Sequence, residues 1–137
     1  MEKIVHKQIQ LKISDNIFNF ELYPIGTQFN RISGIYTFFI IPVTENLRTV
    51  AEVLEPTTDQ IPTTFYHLLY LGITNNFQKR LRQHHKIEQA KSLGMTHIGI
   101  LKISSVRKRK NIERKLLKTY HPPLNQTWLQ ESLNINL

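Results

Sequence analysis

The sequence predicts an α/β (α+β) chain with a small, mainly antiparallel central sheet flanked by helices and an extra N-terminal β-hairpin. Three observations carry this. Apolar runs that alternate, or are β-branched and aromatic throughout, recur at 4–13, 17–23, 34–41, 67–74 and 97–104. Two longer segments, about 76–92 and 106–120, instead place their apolar residues at helical spacing. A chain of 137 residues without cysteine is long enough for one domain with a moderate core and no disulfide staples.

In order along the chain, "IVHKQIQLKI" (4–13) puts Val5, Ile9, Leu11 and Ile13 on one side, and "IFNFELY" (17–23) is its hairpin partner. "SDN" turns between them, and Pro24 and Gly26 end the unit. "GIYTFFII" (34–41) is a buried strand stopped by Pro42. Residues 42–65 are polar and acidic and contain Pro56 and Pro62, a loop or insertion with a short helix expected at 45–54. "HLLYLGIT" (67–74) is the next strand. Asn75 or Asn76 caps a helix running to about Ser92, and "LGM" breaks it. "HIGILKIS" (97–104) is a further buried strand. A basic helix from about Val106 to Tyr120 follows, ended by "HPP". The organisation expected is one domain, 1–137: an N-terminal β extension over 1–33, a core over 34–128 interrupted by the insertion 42–65, and a tail over 129–137.

The formal net charge is +8, and it is uneven. Residues 79–118 hold thirteen of the eighteen Lys and Arg but only two acids, Glu88 and Glu113. Such a face points to a polyanion, most often nucleic acid, against the plainer reading of a solvated lysine-rich surface. Lys79, Arg82, Lys86, Arg107, Lys108, Arg109 and Lys110 are the candidate contacts to a phosphate backbone. No stretch has the length or apolarity of a membrane span, and "MEKIVHKQIQLKI" does not have the pattern of a signal peptide, so a soluble, cytoplasmic protein is expected.

Within the basic helix, Ile112, Leu116, Leu117 and Tyr120 form the apolar stripe, and Glu113 falls inside it. An ionised carboxylate there is costly unless paired or bound to a cation. A salt bridge to an arginine and ligation of a hard divalent ion explain it equally well. Arg80 and His84 sit one turn apart beside the buried positions Phe77 and Leu81, a forked donor and a proton handler suited to a phosphate or no more than a surface pair. Tyr36 and Tyr70 lie in neighbouring strands, each beside a glycine, where ordinary packing is the simpler account. Asn125 alone would be a turn residue. His85, His97 and His121 make no metal-ligand spacing with His84.

Together these residues resemble the GIY-YIG nuclease superfamily. "GIY" stands at 34–36, "YLG" at 70–72 with Leu for the usual Ile, and "ITNNFQKRLRQH" at 73–84 continues it. Arg80, His84, Glu113 and Asn125 follow in the order the family requires. The likeness covers about residues 33–128. Two features depart from it: the long acidic insertion 42–65 between the tripeptides, and a β extension without a separate DNA-recognition domain, which is more similar to restriction-type or small stand-alone members.

The resemblance implies an endonuclease that hydrolyses DNA phosphodiester bonds with one divalent ion, Mg²⁺ or Mn²⁺, held by Glu113. Arg80 would neutralise charge on the phosphate. Tyr36 would position or deprotonate the attacking water, with His84 accepting its proton. Tyr70 would orient water or phosphate, and Asn125 would hold a catalytic side chain or a metal-bound water. Duplex, single-stranded or branched DNA would each serve as partner, and a duplex cut would need a homodimer or two visits. The rival reading is a catalytically inactive GIY-YIG-like module that binds nucleic acid.

Overall fold

A computed structural model describes residues 8–41, 66–82 and 84–125. The insertion 42–65 with its expected helix, residues 4–7 of the first expected strand, and the tail from 126 lie outside the described residues.

Strand β1 (Gln8–Ile13) and strand β2 (Asn16–Pro24) form the predicted hairpin. Ile13 pairs with Asn16, so Ser14 and Asp15 alone make the turn, and Ser14 takes a left-handed backbone with φ 53°. Strand β3 (Gly34–Ile40) pairs with β4 (His67–Thr74) on one side and with β5 (His97–Lys102) on the other. β5 also pairs with β2, so the hairpin joins the central sheet through it, and the order is β1-β2-β5-β3-β4, antiparallel throughout.

Alternation along β3 sends Ile35 and Phe39 to one face and Tyr36 and Phe38 to the other. Helix α3 (Val106–Tyr120) covers the first face. Its Ile112, Leu116, Leu117 and Tyr120 pack on a core that includes Ile9 and Leu11 of β1 together with Leu71 of β4. The Tyr120 hydroxyl also accepts from the Lys12 N–H at 2.7 Å. One helix thus touches both outer strands, which requires the sheet to curve around it. Truncating the fully buried Leu116 would cost about 2–5 kcal/mol. Ser105 caps α3 by accepting from the Lys108 N–H at 3.2 Å, and His121 ends it in a left-handed turn with φ 48°.

The second face carries helix α1 (Phe77–Arg82), helix α2 (His85–Ser92) and a 3₁₀ turn at Pro123–Asn125. Asn76 caps α1 by accepting from the Lys79 N–H at 3.2 Å. The loop before β3 supplies further acceptors: Ile32 O for Phe77 N at 2.9 Å and Asn30 O for Gln78 N at 3.2 Å. The single helix predicted over about 76–92 is therefore two. His84 takes an extended backbone (φ −90°, ψ 122°) and its ring accepts from the Lys86 N–H, so a side chain caps a new helix where continuation was expected. No described helix is long and apolar enough to cross a membrane.

Candidate active site

The second face of the sheet gathers Tyr36, Tyr70, Arg80 and His84. Tyr36 lies on β3, between β5 and the outer strand β4, and pairs in register with Gly72 of β4. A Cβ at Gly72 would stand 2.5 Å from Tyr36 Oη and 2.7 Å from its Cζ. Glycine at that position is what lets the phenol lie across β4. Between β3 and β4 the register shifts: Phe38 opposes Tyr70 and Phe39 opposes Leu68, so Leu69 is an extra residue. The bulge turns both Leu69 and Tyr70 to the second face. Tyr70 there stacks on Phe38 with ring centres 5.4 Å apart, and stands 6.1 Å from the Tyr36 ring.

Two nitrogens converge on the Tyr36 oxygen. Arg80 Nε donates to it at 3.2 Å, and His84 Nε2 lies 2.6 Å away. His84 is 5% exposed and meets the rings of Tyr36, Phe38 and Tyr70 edge-on. Burial first, then the charges of Arg80, His85 and Lys86, lower its pKa to about 4. The imidazole is therefore neutral near pH 7 and carries one hydrogen. Its Nδ1 accepts from the Lys86 N–H at 3.0 Å, so the hydrogen belongs on Nε2 and is donated to Tyr36.

This reverses the expected direction of transfer. His84 was expected to accept the tyrosine's proton, but the N-cap bond occupies the only lone pair with which it would do so. The Tyr36 phenol is pushed up by burial and by Tyr70, with the Arg80 guanidinium opposing. Tyr36 thus rests as a neutral phenol whose oxygen receives two N–H donors. Those donors are placed to hold the oxygen should it lose its proton.

Asn125, expected to hold a catalytic side chain or a metal-bound water, bonds to none of Tyr36, Tyr70, Arg80 and His84. Its Oδ1 accepts from the Leu71 N–H at 2.8 Å, and its Nδ2 donates to Leu71 O at 2.9 Å. It clamps the backbone of β4 between Tyr70 and Gly72, and so positions both.

Glu113 lies on α3, the helix of the opposite face, and makes no hydrogen bond or ion pair among the described residues. Its carboxyl is half-buried, and desolvation raises its pKa. The salt bridge weighed for it, to an arginine on another element, does not form among the described residues. Arg109, one turn earlier, directs Nη1 to the carbonyls of Ile103 and Ser104, at 3.0 Å each. Arg109 is 5% exposed, which corrects its place among the expected phosphate contacts. It shares the inner stripe with Ile112 and Leu116, so it staples the β5–α3 loop instead of facing solvent.

The other basic candidates remain at the surface. Lys79 and Arg82 are exposed on α1, Arg107, Lys108 and Lys110 on α3, and Lys86 is half-buried on α2. Arg31 was missed because it lies outside the basic segment. It is exposed, and its Nε donates to Gln78 Oε1 at 3.1 Å, which sets it over α1. Ser33 and Ile103 bond to each other in both directions, at 3.0 and 3.1 Å. That link brings the loop carrying Arg31 beside the start of α3 with Arg107 and Lys108. Among the described residues no three His, Asp or Glu side chains form a metal cluster.

Compared with protein-family models, with curated proteins and with solved structures, the chain has no match.

Proposed function

We propose that this chain is a metal-dependent DNA endonuclease that hydrolyses phosphodiester bonds. The observation that carries the proposal is the convergence of Arg80 Nε and His84 Nε2 on the buried Tyr36 oxygen. Two donors on one tyrosine oxygen exceed what packing needs, and they suit an oxygen that acquires negative charge during a reaction.

Glu113 fits a hard cation by its chemistry. It is a half-buried carboxylate without a cation partner among the described residues, and it would hold Mg²⁺ or Mn²⁺ as a thin protein ligand that leaves room for water and phosphate oxygens. When bound, the ion would polarise the phosphate and stabilise the leaving oxygen. The protein's own residues do the rest. Tyr36 would give its own proton to a solvent base such as hydroxide, since His84 is a donor to it, and as phenolate would then take the proton of the attacking water. The His84 and Arg80 N–H groups steady the resulting phenolate. The fixed charge of Arg80 also offsets charge gathering on the phosphate. Tyr70 orients water or phosphate beside Tyr36. Lys79, Arg82, Lys86, Arg107, Lys108 and Lys110, joined by Arg31, contact the phosphate backbone without regard to sequence.

The second reading is a module that binds DNA without cutting, favoured by the placement of Glu113 on the opposite helix layer from Arg80. Cleavage of plasmid, single-stranded and branched DNA with magnesium, manganese or chelator decides between them. The nuclease predicts metal-dependent cutting that Glu113→Ala abolishes while DNA binding persists. Binding without cutting by wild type and variant alike would leave the module.

A further inference from the structure

Beside the Tyr36 cluster, and sharing His84 with it, lies an open cleft of about 480 Å³, within the roughly 300–1,000 Å³ common to ligand sites. Leu81, Ile87, Met95 and Ile98 supply an apolar floor, and Phe29 a wall. None of these residues is used by the hydrolytic reading. The rim is of another kind. The His85 ring stacks on His84, with centres 5.3 Å apart and planes 14° apart, and His85 is exposed. Two neutral amides, Gln28 and Gln78, also line it, together with the exposed cations Arg82 and Lys91. Because Gln78 Oε1 accepts from Arg31, its amide nitrogen is left to donate. The rim's one acid, Glu88, lies 3.8 Å from Lys91.

We infer that this cleft receives an unstacked nucleobase of the DNA strand, next to the nucleotide whose phosphate lies at Tyr36 and Arg80. Flat apolar and aromatic walls with neutral amide donors and acceptors are what a base face and a base edge require. A phosphate would find no buried cation there, only the exposed Arg82 and the exposed Lys91 already beside Glu88, so the rim's cations suit the flanking backbone while the apolar floor suits the base. Continuity through His84 sets the distance: a side chain that touches the reacting tyrosine also lines the base site. A base can enter only where it is unpaired or easily unpaired, so the substrate class is DNA with single-stranded or distorted character at the cut. The inference rests on the phosphate lying at Tyr36, as the nuclease reading has it.

The test compares a short single-stranded oligodeoxynucleotide with an abasic strand of equal length and charge. Binding to each is measured by calorimetry at low salt with chelator. Wild type is expected to prefer the intact strand by roughly 5–100-fold, the range for one stacked base. His85→Ala should bring that ratio toward one without changing affinity for the abasic strand, and His85→Phe, which keeps a stacking face, should retain it. A wild-type ratio of one, or the same ratio in wild type and His85→Ala, overturns the base site. Cleavage runs beside this. A protein that cuts DNA but shows no base preference remains a nuclease without the pocket. One that shows the His85-dependent preference but cuts nothing keeps the pocket and loses hydrolysis. Absence of binding to either strand removes both.

Discussion

His84 Nε2 stands 2.6 Å from Tyr36 Oη, and the Lys86 N–H on the opposite ring nitrogen decides that the histidine is the donor. A backbone bond that starts a helix therefore sets the protonation of a side chain packed against Tyr36 of β3. The break between α1 and α2 is what makes this geometry available. In a continuous helix, the His84 side chain would not serve as an N-cap.

Removing the tyrosine oxygen should separate chemistry from folding. Tyr36→Phe leaves the ring in place but deprives Arg80 and His84 of their shared acceptor. We expect cleavage to fall about 10²–10⁴-fold, as for loss of a general base. Stability should fall by ~1–3 kcal/mol, because the buried His84 N–H is left unpaired. Rate assays and thermal melts on the same preparation check both. Unchanged cleavage would remove Tyr36 from the reaction.

Acid should weaken the fold through His84. Its folded pKa of about 4 lies below the ordinary 6.5, so between these values the unfolded chain binds more protons. The stability it contributes is complete above about pH 6.5 and is lost as pH falls toward 4, an effect of about 3 kcal/mol. Burial holds His97 down too, and it acts in the same direction. Melting temperature followed across this range should therefore slope less in His84→Asn than in wild type. Equal slopes would mean that the ring protonates without cost.

Glu113 carries the opposite sign. Burial raises its carboxyl pKa, so its ionised form destabilises the fold, and this penalty is relieved as pH falls toward the ordinary 4.5. Glu113→Gln should melt higher than wild type at neutral pH, with the gap closing in acid. Added magnesium or manganese should raise the melting temperature of wild type and not of the variant. A divalent-ion shift of equal size in both would show that the ion binds elsewhere.

The structural role of Arg109 and the DNA-contact role proposed for Arg107 on α3 are separable. Arg109→Ala loses the bonds to Ile103 and Ser104 and should cost about 1.5–3 kcal/mol of stability, with little change in DNA affinity. Arg107→Ala should leave the melt within about 0.5 kcal/mol but lower affinity and reduce its salt dependence by about one unit of slope. Anisotropy titrations at several salt concentrations, beside melts, distinguish them. The reverse pattern would reassign both residues.

Much of the sheet was legible because its strands alternate or are apolar throughout, and because "GIY" and "YLG" fall on neighbouring strands that do pair. The stripe of α3 was legible from spacing alone. The same spacing held a signal that was passed over: Arg109 stands three and seven residues before Ile112 and Leu116, hence on the buried side. The break at His84 had no local signal, since no glycine or proline marks it. A contact with Tyr36, distant in sequence, outweighs helix continuation there. The insertion of β5 between β2 and β3 was equally hidden, because hydrophobic pattern identifies strands but not their neighbours. Arg80 and His84 converge even so, although the single helix that was expected to align them is divided.

The double bond from the Asn125 amide to Leu71 has a consequence for association. β4 is an outer strand, and its free side is where another chain would add by main-chain pairing. One amide group occupies both the donor and the acceptor of Leu71, as a neighbouring strand would. The edge is thus stoppered midway along its length by a single residue of the 3₁₀ turn that follows α3. Self-association by strand addition at β4 has to displace Asn125 first, so a variant such as Asn125→Ala carries a liability to aggregate apart from any effect on catalysis.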